Sequence, residues 1–278
     1  MFYGFNPKMN PRKKNLMNVK VCLVALIPFL HCCKNSISEK NLTQTTSSHI
    51  RNDIQSSNIA FIKDVPLPIG FCREVNAQYS FAEWLQNVPI KENRTVYLFD
   101  GSQKLNQEAQ YAVLNISVGT KNLQQCADAV MRLRAEYLFA NNRFEEIKFR
   151  DNDNNEYIIN PPYTIYNFKT YLDKVFGICG SASLSKQLKT VQEFANIKGG
   201  DVLIRGGFPG HAVIVMDVAK NEKGQKIYLL AQSYMPAQDI HLLKNFVDED
   251  LSPWYLVNDE ADIATPEYNF KKSELKAW

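Results

Sequence analysis

The sequence predicts an α+β domain in which one long helix packs on an antiparallel sheet, and three observations predict it. Residues 122–140 carry Leu123, Cys126, Ala127, Val130, Leu133, Ala135 and Tyr137, which include an apolar stripe at helical spacing. Residues 201–204, 211–218 and 226–233 are apolar, rich in β-branched side chains and parted by Gly-containing turns, as successive antiparallel strands are. The strands also come in runs, with the helices grouped between them. That separates an α+β chain from one in which strands and helices alternate.

In chain order, Pro66-Leu-Pro-Ile-Gly-Phe71 is an extended lead-in. Residues 79–88 place Phe81, Trp84, Leu85 and Val88 at helical spacing, with Ser80 as the N-cap. Thr95-Val-Tyr-Leu-Phe99 reads as a strand closed by the Asp100-Gly101 turn pair, and residues 111–118 as another closed by Gly119-Thr120. The long helix then begins, capped by Thr120 or Asn122, with Cys126 in about its first turn on the inward stripe. Arg132 and Glu136 stand one turn apart on its outer face, where a pair is worth ~0.3 kcal/mol. Residues 144–149 and 156–160 form a hairpin around an Asp/Asn-rich turn. A second helix covers 166–176 and stops at Gly177-Ile-Cys-Gly180, and a shorter third covers 181–188. After the run of strands come short extended pieces at 239–243 and 254–257, and the C-terminus lacks a strong pattern.

The 278 residues are 45% hydrophobic, an ordinary globular composition. The formal charge of +3 is uneven. Lys8, Arg12, Lys13, Lys14 and Lys20 lie in residues 1–32 without an acid among them, and the remainder is slightly negative. The basic balance therefore reports a leader and gives no reason to expect nucleic acid. Those cations precede Val21-Cys-Leu-Val-Ala-Leu-Ile-Pro-Phe-Leu30, an apolar run shorter than the ~20 residues needed to span a bilayer. The reading is a signal peptide over 1–32, with Met17 as a possible start. Leu30-His-Cys-Cys33 resembles the lipobox of bacterial lipoproteins, which implies lipidation at Cys33, with Cys32 the small residue before cleavage. Residues 33–57 are polar and form a flexible tether, followed by one α+β domain over 58–278. The expected location is the cell envelope, on a lipid anchor facing the periplasm or the cell surface.

Beyond the anchor the chain keeps Cys72, Cys126 and Cys179, so at least one thiol stays unpaired even in an oxidising compartment. A cysteine near a helix N-terminus has its thiolate favoured by free N–H groups and the helix dipole. A histidine where a strand leaves a glycine turn can take its proton, and a third polar group can hold the ring. Cys126, His211 and Gln232 supply these parts in order, with Ser233 as the fallback for the third. Strand alternation puts His211, Val213 and Val215 on one face, and the expectation is that this face packs on the helix. Cys179, between Gly177 and Gly180, is the alternative nucleophile. Each has a plainer reading: a buried cysteine as a small hydrophobe, His211 bonded at a strand edge, Gln232 satisfying backbone.

Asp201 reads as a turn residue, and His241 as packed or solvent-facing. Neither an HExxH nor a paired CxxC spacing occurs, so a zinc site from His211, His241 and a cysteine has little support. No P-loop or dinucleotide glycine pattern is present, and no cofactor is expected. Tyr228, Tyr234, Trp254 and Tyr255 could line a groove, although aromatic core is the commoner use.

Lys198-Gly-Gly-Asp201, Gly210-His211 and the upstream helix-borne cysteine resemble the papain-like cell-wall peptidases and amidases of the NlpC and CHAP kind. That resemblance covers roughly the last half of the chain. It implies a papain-like fold and the hydrolysis of peptidoglycan peptides. Gln124-Gln-Cys-Ala-Asp128 stands where those enzymes carry Asp-Cys-Ser-Gly-Phe. A second resemblance rests on Ser80-Phe-Ala-Glu-Trp-Leu85, residues 123–138, Pro209-Gly-His-Ala-Val-Ile-Val215 and residues 230–238. These are similar to an uncharacterised family of secreted bacterial proteins, the domain-of-unknown-function family 4846. It implies an envelope protein without an assigned activity. Two functions follow as expectations: a lipid-anchored cysteine hydrolase of cell-wall peptides, or a non-catalytic lipoprotein that binds peptidoglycan or a protein partner.

Overall fold

The computed structural model describes residues 59–258 and 262–278, and the expected signal peptide, tether and Cys33 lie outside them. In chain order the strands are β1 (Phe71–Arg73), β2 (Gln110–Val113), β3 (Lys148–Arg150), β4 (Glu156–Ile158), β5 (Lys189–Thr190), β6 (Val202–Arg205), β7 (His211–Asn221), β8 (Lys226–Gln232), β9 (His241–Leu243), β10 (Tyr255–Leu256), β11 (Ile263–Ala264), β12 (Asn269–Phe270) and β13 (Leu275–Ala277). The helices are α1 (Phe81–Gln86), α2 (Cys126–Ala140), α3 (Ile165–Phe176) and α4 (Ser181–Gln187).

The main sheet runs β2-β9-β8-β7-β6-β13-β5, with β1 added to β7 and β10 to β8. Every pairing among the described residues is antiparallel. With helices α1 to α4 grouped before most of the strands, this is the mixed α+β architecture that the pattern predicts.

Strand β7 is the axis. Residues His211 through Ala219 are all buried, so both of its faces are covered. Ala212, Ile214 and Met216 belong to the larger apolar cluster, which holds Ala127, Val130, Met131 and Leu133 of α2. Val213 and Val215 belong to a second cluster with Leu203, Tyr228, Leu230 and Phe270. This corrects one expectation. The face that His211 shares with Val213 and Val215 is the one turned away from α2. A strand apolar on both faces carries no alternation to tell which face meets the helix.

Helix α2 is covered on most of its circumference. Ala127 to Met131, Leu133, Ala135, Tyr137 and Leu138 are all buried, as in a helix enclosed by its neighbours. It begins at Cys126, four residues later than the sequence suggests. Asn122 is taken elsewhere: its side-chain oxygen accepts the Ala237 N–H at 2.8 Å. The Asp128 carboxylate instead reaches back to the Gln125 N–H at 2.9 Å. The Arg132–Glu136 pair forms at 2.8 Å.

Other boundaries follow the sequence closely. Ser80 caps α1 by accepting the Glu83 N–H at 3.2 Å, and β3 pairs with β4 as the expected hairpin. Residues 95–99 do not form a strand beyond the isolated bridges Tyr97↔Gln103 and Leu98↔Gln238. Its backbone is shared among several irregular segments: Lys104, Ser102, Ala237 and Asp239 bond it with their own backbone groups, the Gln107 amide bonds both Val96 N and Val96 O, and the Asp239 side chain accepts Tyr97 N–H. The C-terminus, unpatterned in sequence, supplies β13, which fills the gap between β6 and β5. Among the described residues no helix is long and apolar enough to cross a membrane.

Candidate functional site

The turn between β6 and β7 sets the position of His211. It needs a glycine at 210: a Cβ there would lie 2.4 Å from Gly207 O, 2.5 Å from Ser181 Oγ and 2.8 Å from Arg205 O. The turn therefore closes directly against the start of α4. His211 follows as the first residue of β7, 2% exposed, opposite Arg205. Its ring sits among aromatic neighbours, with ring centroids 4.7 Å from Tyr234, 5.0 Å from Tyr268 and 5.9 Å from Phe270.

Cys126 is the first residue of α2, and with it the helix reaches the end of β7. Backbone N–H groups of Ala127, of Ala212 and of Cys126 itself bear on the thiol and favour its anion. Ala212 is the residue after His211. Tyr234, against the His211 ring, also feels the charge of Cys126. Cysteine and histidine thus stand at the same end of β7, with Tyr234 beside both. The thiol makes no hydrogen bond to the imidazole in this arrangement; the nitrogen that is held, Nε2, faces Gln232.

Gln232, the last residue of β8, places Oε1 2.8 Å from His211 Nε2. Its amide nitrogen donates to Glu267 Oε2 at 2.7 Å and lies 3.4 Å from His241 Nε2. Glu267 also accepts from Lys104 Nζ at 2.7 Å and from Asn106 Nδ2 at 3.1 Å. His241 is fully buried, with Nδ1 2.9 Å from the Asp239 carbonyl. The sequence pairs Gln232 with His211 from strand order alone. Lys104 and Glu267 lie beyond its reach, because they come from irregular segments far apart in the chain that meet in a 2.7 Å ion pair. His241 is packed, as one of its two readings had it, and it belongs to this same network.

Ser233 does not touch the ring. Its hydroxyl lies 2.9 Å from both Gln124 O and Gln238 O, so it ties the end of β8 to the residues just before Cys126. Gln124 is buried and its side-chain oxygen accepts from Arg132. Asp201 is the turn residue expected of it, accepting the Lys198 N–H at 2.8 Å, and burial raises its pKa to about 6.

The electrostatics keep the pair neutral. Burial raises the Cys126 thiol above its ordinary value, outweighing the backbone N–H groups. Burial also lowers His211 to about 4, against the opposing pull of Gln232 and Glu267. Asp128, one turn into α2, is pushed by burial to about 8, and its Oδ1 has no hydrogen-bond partner among the described residues. At neutral pH the thiol, the imidazole and this carboxyl are mainly uncharged.

The other two cysteines lie elsewhere. Cys179 is buried in the helix-side cluster, near the Asp151 and Asp128 carboxyls, and burial raises it to about 11. Cys72 is exposed on β1, opposite Lys220 at the far end of β7. Lys220 stands nine residue steps along β7 from His211, roughly 30 Å at the usual rise. Among the described residues no cluster of three or more metal-ligating His, Cys, Asp or Glu side chains occurs.

An α+β domain with a helix-borne cysteine, a strand-borne histidine and an amide beside it defines the class. The chain belongs to the family described as Domain of unknown function (4846), whose model matches residues 62–159 and 156–277. No curated protein and no solved structure matches it.

Proposed function

We propose that this protein is a papain-like cysteine hydrolase of the cell envelope, held by a lipid on Cys33 and acting on peptides of the cell wall. One observation carries the reading. The first residue of the central helix is a cysteine whose thiol lies against the N–H of Ala212, and the residue before Ala212 is a histidine held by an amide. Nucleophile, base and orienting group come from three different rigid elements, as precise positioning requires.

The chemistry follows from those parts. The Cys126 thiol gives its proton to His211, and sulfur bonds to the carbonyl carbon of a peptide or amide. The C–N bond breaks, and the leaving amine takes the proton from the imidazolium. Water, deprotonated by His211, then attacks the thioester, releases the acid and restores the thiol. Phe208 in the turn before His211 and Met235 beside Tyr234 are exposed, which suits an uncharged polypeptide better than an anionic polymer. The envelope placement, the lipid anchor and the cell-wall substrate rest on the sequence of residues 1–57 and on the resemblance to NlpC- and CHAP-type enzymes.

The second reading is a lipoprotein that binds peptidoglycan or a partner without turnover. It is favoured by the neutral resting site and by the absence of a hydrogen bond between thiol and imidazole. Incubation of purified peptidoglycan with the protein separates the two. The hydrolase reading predicts released peptides with wild type and with Cys179→Ala, and none with Cys126→Ala. Release that survives Cys126→Ala, or no release by wild type while it still sediments with the wall, supports the second reading.

A further inference from the structure

We infer that Glu267, with Lys104 behind it, is a positioning residue that fixes which nitrogen of His211 carries the proton. The inference rests on the hydrolase reading for its purpose, but its geometry stands apart from it. A glutamine amide has a donor end and an acceptor end, and heavy-atom positions alone do not say which is which. Here the surroundings decide. Every partner of Glu267 is a donor: Lys104 Nζ, Asn106 Nδ2 and the Gln232 amide. A carboxylate bound by a lysine offers only acceptors, so Gln232 must turn its NH2 toward Glu267.

His241 imposes the same choice. Its Nδ1 faces the Asp239 carbonyl at 2.9 Å and must donate to it. In the neutral ring that leaves Nε2 as an acceptor, 3.4 Å from the Gln232 nitrogen. The amide NH2 therefore faces two acceptors. A flipped amide would set its oxygen against a carboxylate oxygen and an imidazole lone pair.

With the NH2 end committed, Gln232 Oε1 faces His211 Nε2 at 2.8 Å and accepts its proton. The lone pair is then on Nδ1, the nitrogen free to receive a proton from a nucleophile. Lys104 serves Glu267 in turn. It is 7% exposed, and the carboxylate beside it opposes the desolvation that lowers its pKa. Two residues remote from each other in sequence thus decide the tautomer of a histidine that neither touches.

The test reads the tautomer directly, by ¹⁵N resonances of His211 in protein labelled at histidine. Wild type is expected to show a single Nε2–H form at neutral pH. Lys104→Met/Glu267→Gln removes both charges and keeps an acceptor toward Gln232, so the Nε2–H form should persist. Lys104→Met/Glu267→Leu removes the acceptor as well, and His211 should become a mixture of tautomers, with the iodoacetamide rate at Cys126 falling about tenfold. An unchanged Nε2–H resonance in the leucine variant overturns the inference, as does an Nδ1–H form in wild type. If the leucine variant does not fold, Lys104→Met/Glu267→Ala is read in the same way: a mixture of tautomers supports the inference and an unchanged Nε2–H resonance overturns it. None of these readouts needs turnover, so failure here and failure of the hydrolase reading are distinguishable.

Discussion

The two faces of β7 are built from opposite materials. Toward α2 the strand presents Ala212, Ile214 and Met216 to an apolar helix, and the contact is dry. On the other face, beside Val213 and Val215, the first residue is His211, and its network runs through Gln232 to His241, Glu267 and Lys104. The first face gives rigidity and delivers a helix N-terminus to the rim. The second supplies directional hydrogen bonds, which hold a ring as apolar packing cannot. A reactive pair made this way needs both faces, and neither shows the site alone.

The largest expected effect breaks the polar face. His211 and His241 are held by burial at about 4 and about 3, below the ordinary value of 6.5. Between roughly pH 6.5 and pH 3 these two histidines therefore bind more protons in the unfolded chain than in the folded one, and their contribution to stability falls as pH drops through that window. Asp128 and Asp201, raised by burial to about 8 and about 6, keep their protons in the folded chain and oppose that fall above about pH 4. The share of His241 is therefore read as a difference: relative to wild type, His241→Gln should regain on the order of 5 kcal/mol between pH 7 and pH 3 by urea titration. Parallel pH profiles of the two proteins would show that His241 is not held below its ordinary value.

The apolar face breaks more simply. Ile214→Ala empties a position that is 1% exposed against α2 and should cost about 2–5 kcal/mol by denaturant titration. It should leave the pH profile of unfolding unchanged in shape, because no titrating group is touched. The rim gives the smallest effect. Ser233→Ala removes the hydroxyl that bonds Gln124 O and Gln238 O, costing about 1–2 kcal/mol. It should also loosen the segment before Cys126, visible as faster amide hydrogen exchange there.

Much of this was legible in the sequence, for physical reasons. Antiparallel strands parted by Gly-containing turns announce themselves through local pattern, and β6, β7 and β8 are read almost to the residue. Strand β7 runs three residues past its expected end, to Asn221, while its start and the bounds of β6 and β8 fall within one residue. Ser80 is legible for a similar reason, since its capping role depends on a neighbour three residues away. Cys126, His211 and Gln232 could be picked out because each ends or begins a regular element. What stayed hidden depends on long-range partners. The start of α2 moved because Asn122 is engaged by Ala237. The strand expected at 95–99 is broken up because its backbone bonds go to several irregular segments, those of Ser102, Lys104, Ala237 and Asp239, and to the Gln107 amide. Glu267 and Lys104 sit in segments with no periodicity, so no local signal marks them. The facing of His211 was misjudged because a strand buried on both sides looks the same from either.

The central claim is that Cys126 and His211 act on one another across the rim. The direct measurement is the iodoacetamide rate at Cys126 from pH 6 to 10, resolved by mass spectrometry, in wild type and His211→Ala. Exposed Cys72 on the same chain serves as the internal reference. The account predicts that His211→Ala slows Cys126 below its raised pKa and leaves Cys72 unaffected. Equal Cys126 rates in the two proteins across the whole range would contradict it.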